Sequence, residues 1–454
     1  MEFNMRKSIF IPSVLLIAFG IASPLIMGLV AENQFTSQLD KLSIENNTGM
    51  ALSDIKFDRG YAQSDASFVM TLDDPNNGIP VFSVLFESKM QHTPINTREF
   101  GFSVFEIYSQ DRISFAQGPE ALVKFVNDNM EGYLLSGYSR TNALGRFDSV
   151  LSTAAIDVNN DEGELNIQMD SMIINSTGQI DGSETEFDMK LPSTNIKGAD
   201  FSAQIKSISM IGDSRVGISG IPLGSILMEV AQVSVVSAIG NTEIKKIGFS
   251  TVSELIDNKI DTTVSYNVGS IEAPLPVSSA SYNIDFNGLP LESAQLLQEL
   301  QFHVNNMEAN PGSTDKYFNQ LLTATLQPGL QINQELKTNA FGGAWQADLD
   351  VEYVGIEGAE LAEMKDPKVA IKGVAATLVV TADSIALSRS PLAPMLDGLM
   401  KQGFITLDNT RLTSNASLTA GKLMVNEVEI PVESIIDGIL LQLSQSQEAD
   451  IAAN

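Results

Sequence analysis

Few residues in this chain are of a type that does chemistry at neutral pH. His92 and His303 are its two imidazoles, and it has no cysteine, so thiol nucleophiles, disulfides and thiolate metal sites are excluded. His92 reads as a loop residue and His303 as the edge of a helix stripe, each solvated or partly packed rather than a general base. Serine is abundant, but no G-x-S-x-G elbow presents one as a nucleophile. Neither a G-x-x-x-x-G-K-[ST] loop nor a G-x-G-x-x-G opening a helix occurs, so nucleotide chemistry has no support. These absences point away from an enzyme, and no catalytic, cofactor-binding or metal residue is assigned.

Two acidic stretches and one arginine remain. Asp157-Val158-Asn159-Asn160-Asp161-Glu162-Gly163-Glu164 places oxygen donors at alternate positions, as a calcium loop does. Where such a loop needs glycine at position six and glutamate at twelve, this one has Glu162 and Gln168, so it reads as a solvated hairpin turn. Asp73 to Gly78 is likewise a turn. Arg59 reads as a turn residue pairing with a local carboxylate.

Elements that could position these residues start with the uncharged run Ile9–Ala31, preceded by Arg6 and Lys7 and followed by Glu32. Its 23 residues span roughly 34 Å as a helix, enough to cross a bilayer core. The run is longer than a signal-peptide core, and Leu29 occupies the −3 position of the best cleavage point, so an uncleaved anchor is expected. The positive flank sets residues 1–8 in the cytoplasm and the body outside. The formal charge of −29 repels nucleic acid and anionic lipid surfaces, and it keeps a large body soluble.

Beyond the anchor, alternation of period two dominates. Strands are expected on each side of a turn at Asp58–Gly60, over Phe100–Tyr108, and through Leu165, Ile167, Met169 and Phe187, Met189, Leu191. From Phe201 the phase slips at Ser207, which predicts a bulge. Ile260, Thr262, Val264, Tyr266 and Val268 form one strand face, and Trp345, Ala347, Leu349, Val351 and Tyr353 another. Helices are expected at Asn33–Leu42, Pro119–Asp128, Pro290–His303, from Ser313 toward Pro328, from Ser390-Pro391 to Gly403 with Leu392, Met395, Leu396, Leu399 and Met400 on its stripe, and from Pro431 with Val432, Ile435, Ile436, Ile439, Leu440 and Leu443. Gly421–Ile430 reads as a hairpin turning at Asn426-Glu427. The Pro/Ser-rich stretch Ala273–Ser281 is the expected boundary between a strand-rich half, 32–272, and a mixed half, 282–454.

A single N-terminal apolar segment followed by R-G-x-x-x-S-x-A, here Arg59 to Ala66, resembles the bacterial DUF945 (YdgA-like) family of uncharacterised membrane-anchored proteins. The family's His-Gly-Pro stretch is His92-Thr93-Pro94 in this chain, and its G-x-L-x-V-N-G pattern ends in Glu427. The resemblance implies a bacterial inner-membrane, periplasm-facing protein.

The expected architecture is therefore α+β and β-rich. Long antiparallel sheets carry a few covering amphipathic helices, after one N-terminal transmembrane helix at 9–31. The expected role is a non-enzymatic envelope scaffold or interaction protein. Lipid binding or shuttling in a β-groove is the alternative, and carboxylate-dependent glycan hydrolysis a distant third. Expected partners are the membrane, a second copy of the chain, and lipid or envelope proteins, with no nucleic acid and no cofactor.

Overall fold

The computed structural model describes residues 23–37, 39, 50–73, 80–93, 95–98, 101–104, 106–142, 144–159, 165–217, 220–273, 277–297, 320–356, 366–432 and 435–437. Antiparallel strands dominate them. Two compact units divide the chain, the first ending at Pro222 (with 301–305 added) and the second beginning at Leu223.

The first unit opens with helix α1 (residues 23–37). Strands β1 (Met50–Arg59), β2 (Gln63–Asp73), β3 (Pro80–Gln91), β6 (Glu106–Gln117), β7 (Leu135–Asn142) and β8 (Arg146–Ser152) pair in that order. β4 (Ile95–Arg98) and β5 (Gly101–Val104) form a separate hairpin. β8 pairs β11 (Ile173–Gln179), β11 pairs β12 (Glu184–Gly198), and β12 pairs β13 (Phe201–Val216). The second half of β12 pairs instead with β10 (Leu165–Met169), which holds β9 (Ile156–Asn159). Residues 160–164 of the acidic loop lie outside the described residues, as do 74–79. α2 (Glu120–Asn129) starts after Pro119, whose fixed φ suits a helix entrance, and Val126 and Met130 pack on Ile156 as a small core. Ser207, where the phase slip predicts a bulge, adopts φ 52°, but β12 and β13 keep one register through it, with Leu191 opposite Ile208 and Ser193 opposite Lys206.

The second unit is one antiparallel series: β14 (Pro222–Ser237), β15 (Gly240–Ile256), β16 (Lys259–Glu272), β17 (Val277–Pro290), β18 (Leu330–Ala340), β19 (Gly343–Tyr353), β20 (Val374–Asp383) and β22 (Arg411–Thr419). β21 (Thr406–Asp408) and β23 (Lys422–Val425) share the other edge of β22, and β23 turns into β24 (Val428–Ile430). Because β17 is bonded on both edges, the Pro/Ser-rich stretch expected as a boundary leads into the interior of this sheet.

Registers align side chains across the strands. One row reads Met228, Phe249, Tyr266, Tyr282, Leu336, Ala347, Val380. The next row, on the opposite face, reads Glu229, Gly248, Asn267, Ser281, Lys337, Gln346, Thr381. Side chains alternate between faces, so one side of the sheet is apolar and the other polar.

Several expected helices change. The predicted helix from Ser390 to Gly403 is broken. α6 (Ser384–Arg389) ends where Ser390 Oγ donates to the Leu387 carbonyl, and a 3₁₀ turn at Ala393–Met395 precedes α7 (Leu396–Lys401). Pro391 and Pro394 lack the N–H groups that a continuous helix would use. α5 (Pro367–Ala370) is capped by Asp366. Residues 291–297 (α3) and 320–325 (α4) are helical, Pro290 closes β17 and 326–328 are not helical, while residues 298–319, His303 included, fall outside the described residues. Val432 and Ile436 are buried, as expected of the last helix. Among the described residues no helix is long and apolar enough to cross a membrane, and 9–22 lie outside them. What is described of the apolar run, residues 23–31, continues without a break to 37, with Ser23, Pro24, Gly28 and Ala31 buried.

Candidate functional site

The residues singled out between 59 and 92 converge on α1. β1 and β2 are joined by a tight turn in which the Gly60 N–H donates to the Gln63 carbonyl at 2.9 Å. A Cβ on Gly60 would sit 2.4 Å from that same oxygen, so only glycine fits. β2 and β3 pair with Gln63 opposite Gln91, and the ladder closes when His92 N–H donates to the Ala62 carbonyl at 3.0 Å. Ser64 and His92 therefore emerge side by side at one end of the hairpin.

His92 is fully buried and Ser64 nearly so. The Ser64 hydroxyl lies 2.8 Å from His92 Nε2, and His92 Nδ1 lies 3.0 Å from the Pro24 carbonyl of α1. A carbonyl only accepts, so Nδ1 carries the proton and Nε2 accepts from Ser64. The solvated or partly packed loop histidine expected from sequence is corrected to a fully buried one. A loop position at the end of a hairpin becomes interior once a helix lies across it.

Gly28 makes that approach close, because a Cβ there would fall 2.8 Å from His92 Cε1. Two turns further on, Phe35 packs on Phe57 and Phe68 with ring centroids 5.6 and 6.2 Å away, and Phe68 stacks on Phe86. Arg59 Nη1 donates to Glu32 at 2.7 Å. Its partner is thus 27 residues away on α1, where a local carboxylate was expected.

A serine hydroxyl donating to an imidazole is the arrangement of a base-activated nucleophile. Here the other ring nitrogen meets a carbonyl rather than a carboxylate, and burial leaves no room for a substrate on Ser64. The geometry performs docking: it holds one tautomer and ties α1 to the sheet. Sequence reading weighs His92 as a lone loop residue and has Ser64 only as a letter of a motif, without joining the two. Their separation by a hairpin register, with residue numbers that sum to nearly the same value across each pair, is the signal that would have joined them.

Other residues weighed for chemistry stay apart. Asp157 and Asn159 are paired into β9 and β10, where Asn166 donates to Asn159. Among the described residues no group of three or more histidines and carboxylates is placed to hold a metal ion. In the second unit, burial raises the Tyr353 hydroxyl above its ordinary range, and Lys337 holds the Glu335 carboxyl below its usual value through a hydrogen bond.

No curated protein and no solved structure is significantly similar to this chain. The model for "Bacterial protein of unknown function (DUF945)" matches residues 5–433, nearly the whole chain, and the protein belongs to that family.

Proposed function

We propose that this is a non-enzymatic, membrane-anchored envelope protein whose second unit accepts the apolar part of a lipid on one face of its long sheet. The carrying observation is the apolar face itself. From β14 to β20, rows such as Ile226, Thr251, Val264, Ile284, Gln334, Leu349, Leu378 contain no acidic or basic side chain. The buried hydrophobics of this sheet gather toward β18–β22, and among the described residues none from β14, β15 or β17 is buried. Tyr266, Phe286 and Leu336 stay 48%, 38% and 41% exposed in mid-sheet.

A face this wide, at about 4.8 Å per strand, costs free energy when left in water, and aliphatic chains need no hydrogen-bonding groups from it. Attachment through the N-terminal apolar run, of which residues 23–31 already pack on the first unit's sheet, would hold the body beside a bilayer, with the polar face and its excess of carboxylates directed to solvent. This reading favours the lipid alternative over a pure scaffold, for which every apolar face should be internal.

The test is native mass spectrometry with lipid extraction of the full chain purified in mild detergent. Lipid retained by the wild type and lost in Tyr266→Lys/Leu336→Lys supports the reading. A lipid-free protein of defined oligomeric state would support the scaffold instead.

A further inference from the structure

Beneath α1 lies a second, smaller feature that the sheet reading does not use. A cavity of about 210 Å³ opens between the helix and the first-unit sheet. Its walls are largely apolar, with Phe35, Phe86, Met90 and Ile107 prominent, but Asp111 sits among them and is 4% exposed. Its hydrogen-bond partners among the described residues are neutral serines: Ser88 donates to one carboxylate oxygen at 2.7 Å, and Ser109 and Ser139 to the other at 3.1 and 2.5 Å. Ser149 extends the chain, 3.0 Å from Ser139 Oγ.

No lysine or arginine is among the described residues that line the cavity. The three nearest in sequence, Lys89, Arg112 and Arg140, alternate to the other face of their strands, where Lys89 is exposed, Arg112 donates to the Tyr133 hydroxyl and Arg140 to Asp148. Among the described residues the carboxylate is thus well hydrogen-bonded and meets no counter-charge, a costly arrangement in apolar surroundings. A hard divalent cation wants six or more oxygens. The site offers one carboxylate and a few hydroxyls, beside a greasy wall.

We propose that this cavity binds a small aliphatic primary amine in its ammonium form. Three N–H donors on one compact charge match the free lone pairs of Asp111 and of the surrounding serine oxygens, while the short alkyl part lies on Phe35, Phe86, Met90 and Ile107. The same head chemistry occurs on free amines and on amine-bearing lipid headgroups. The proposal is independent of lipid binding by the second unit, since all the residues involved belong to the first.

The experiment titrates the full chain in detergent with n-hexylamine, n-hexanol and N,N,N-trimethylhexylammonium at pH 7 by calorimetry. Expected is saturable one-to-one binding of hexylamine, at least tenfold tighter than the alcohol, which lacks charge, and than the trimethyl ion, which lacks N–H donors. Asp111→Asn is expected to remove that preference. Equal affinity for all three ligands, binding of none, or a preference that survives in Asp111→Asn overturns the proposal. If Asp111→Asn does not fold, the three-ligand comparison on the wild type decides alone. Competition with dihexanoyl phosphatidylethanolamine separates the sources: displacement of hexylamine supports a headgroup ligand, and its absence supports a free amine.

Discussion

Replacing His92 by alanine should release α1 from the sheet without unfolding the sheet. The substitution deletes both hydrogen bonds of the imidazole, to Ser64 and to the Pro24 carbonyl, at a site with no solvent access. Leaving the Ser64 hydroxyl buried and unpaired costs about 1–3 kcal/mol. The vacated ring adds a cavity term, at about 24 cal/mol per Å³ of unfilled space, of about 1–2 kcal/mol. A total of about 2–5 kcal/mol falls on one local contact. At about 1.4 kcal/mol per tenfold change, amide exchange protection of residues 25–37 should drop by about 30- to 4000-fold. Hydrogen–deuterium exchange of the full chain in detergent reads this directly, with the β15–β16 amides of the second unit as internal reference. His92→Gln, which keeps one donor and one acceptor, should recover part of the protection. Unchanged exchange of α1 in His92→Ala would refute the reasoning, since the helix would then be held without the imidazole.

Three further outcomes follow from the same geometry. Gly28→Val should undock α1 at least as strongly as His92→Ala, because the first added atom already meets the ring at 2.8 Å; exchange of residues 25–37 is again the readout. Arg59→Ala should cost at most about 1 kcal/mol in chemical denaturation, since both members of the Arg59–Glu32 pair are more than a third exposed. Lys337→Met should return the Glu335 carboxyl toward its ordinary value of 4.5, seen as a shifted carboxyl resonance in an NMR pH titration. A carboxyl held below its unfolded value stabilises at higher pH and loses that contribution as pH falls through the folded value. The wild type should therefore exceed Lys337→Met in stability above about pH 4.5 and converge with it in acid.

Period-two alternation alone located many of the strands, because a sheet with one apolar face writes its orientation into every second residue. Ser207 shows the limit of that signal: the phase slip fell on a residue with φ 52°, yet the β12–β13 register runs through it without the expected bulge. Local chemistry likewise placed α2 behind Pro119 and the turn at Asn426, where φ is 51°. The helix expected over Ser390–Gly403 failed because a good apolar stripe was read across Pro391 and Pro394, whose missing donors act locally and override periodicity.

What sequence alone determined is the alternation, the acidity, the lack of thiols, the uncharged N-terminal run and the family motif. Tertiary structure decided what the motif is for. Pro24, Gly28, Arg59, Ser64 and His92 are separated by up to 68 positions, as His92 is from its partner Pro24, and become one contact only when a hairpin register and a helix bring them together. The same holds for Asp111, an ordinary residue of a polar strand until α1 and three serines enclose it. Burial and pairing are properties of distance in space, and a linear pattern records only which side of its own strand a residue takes.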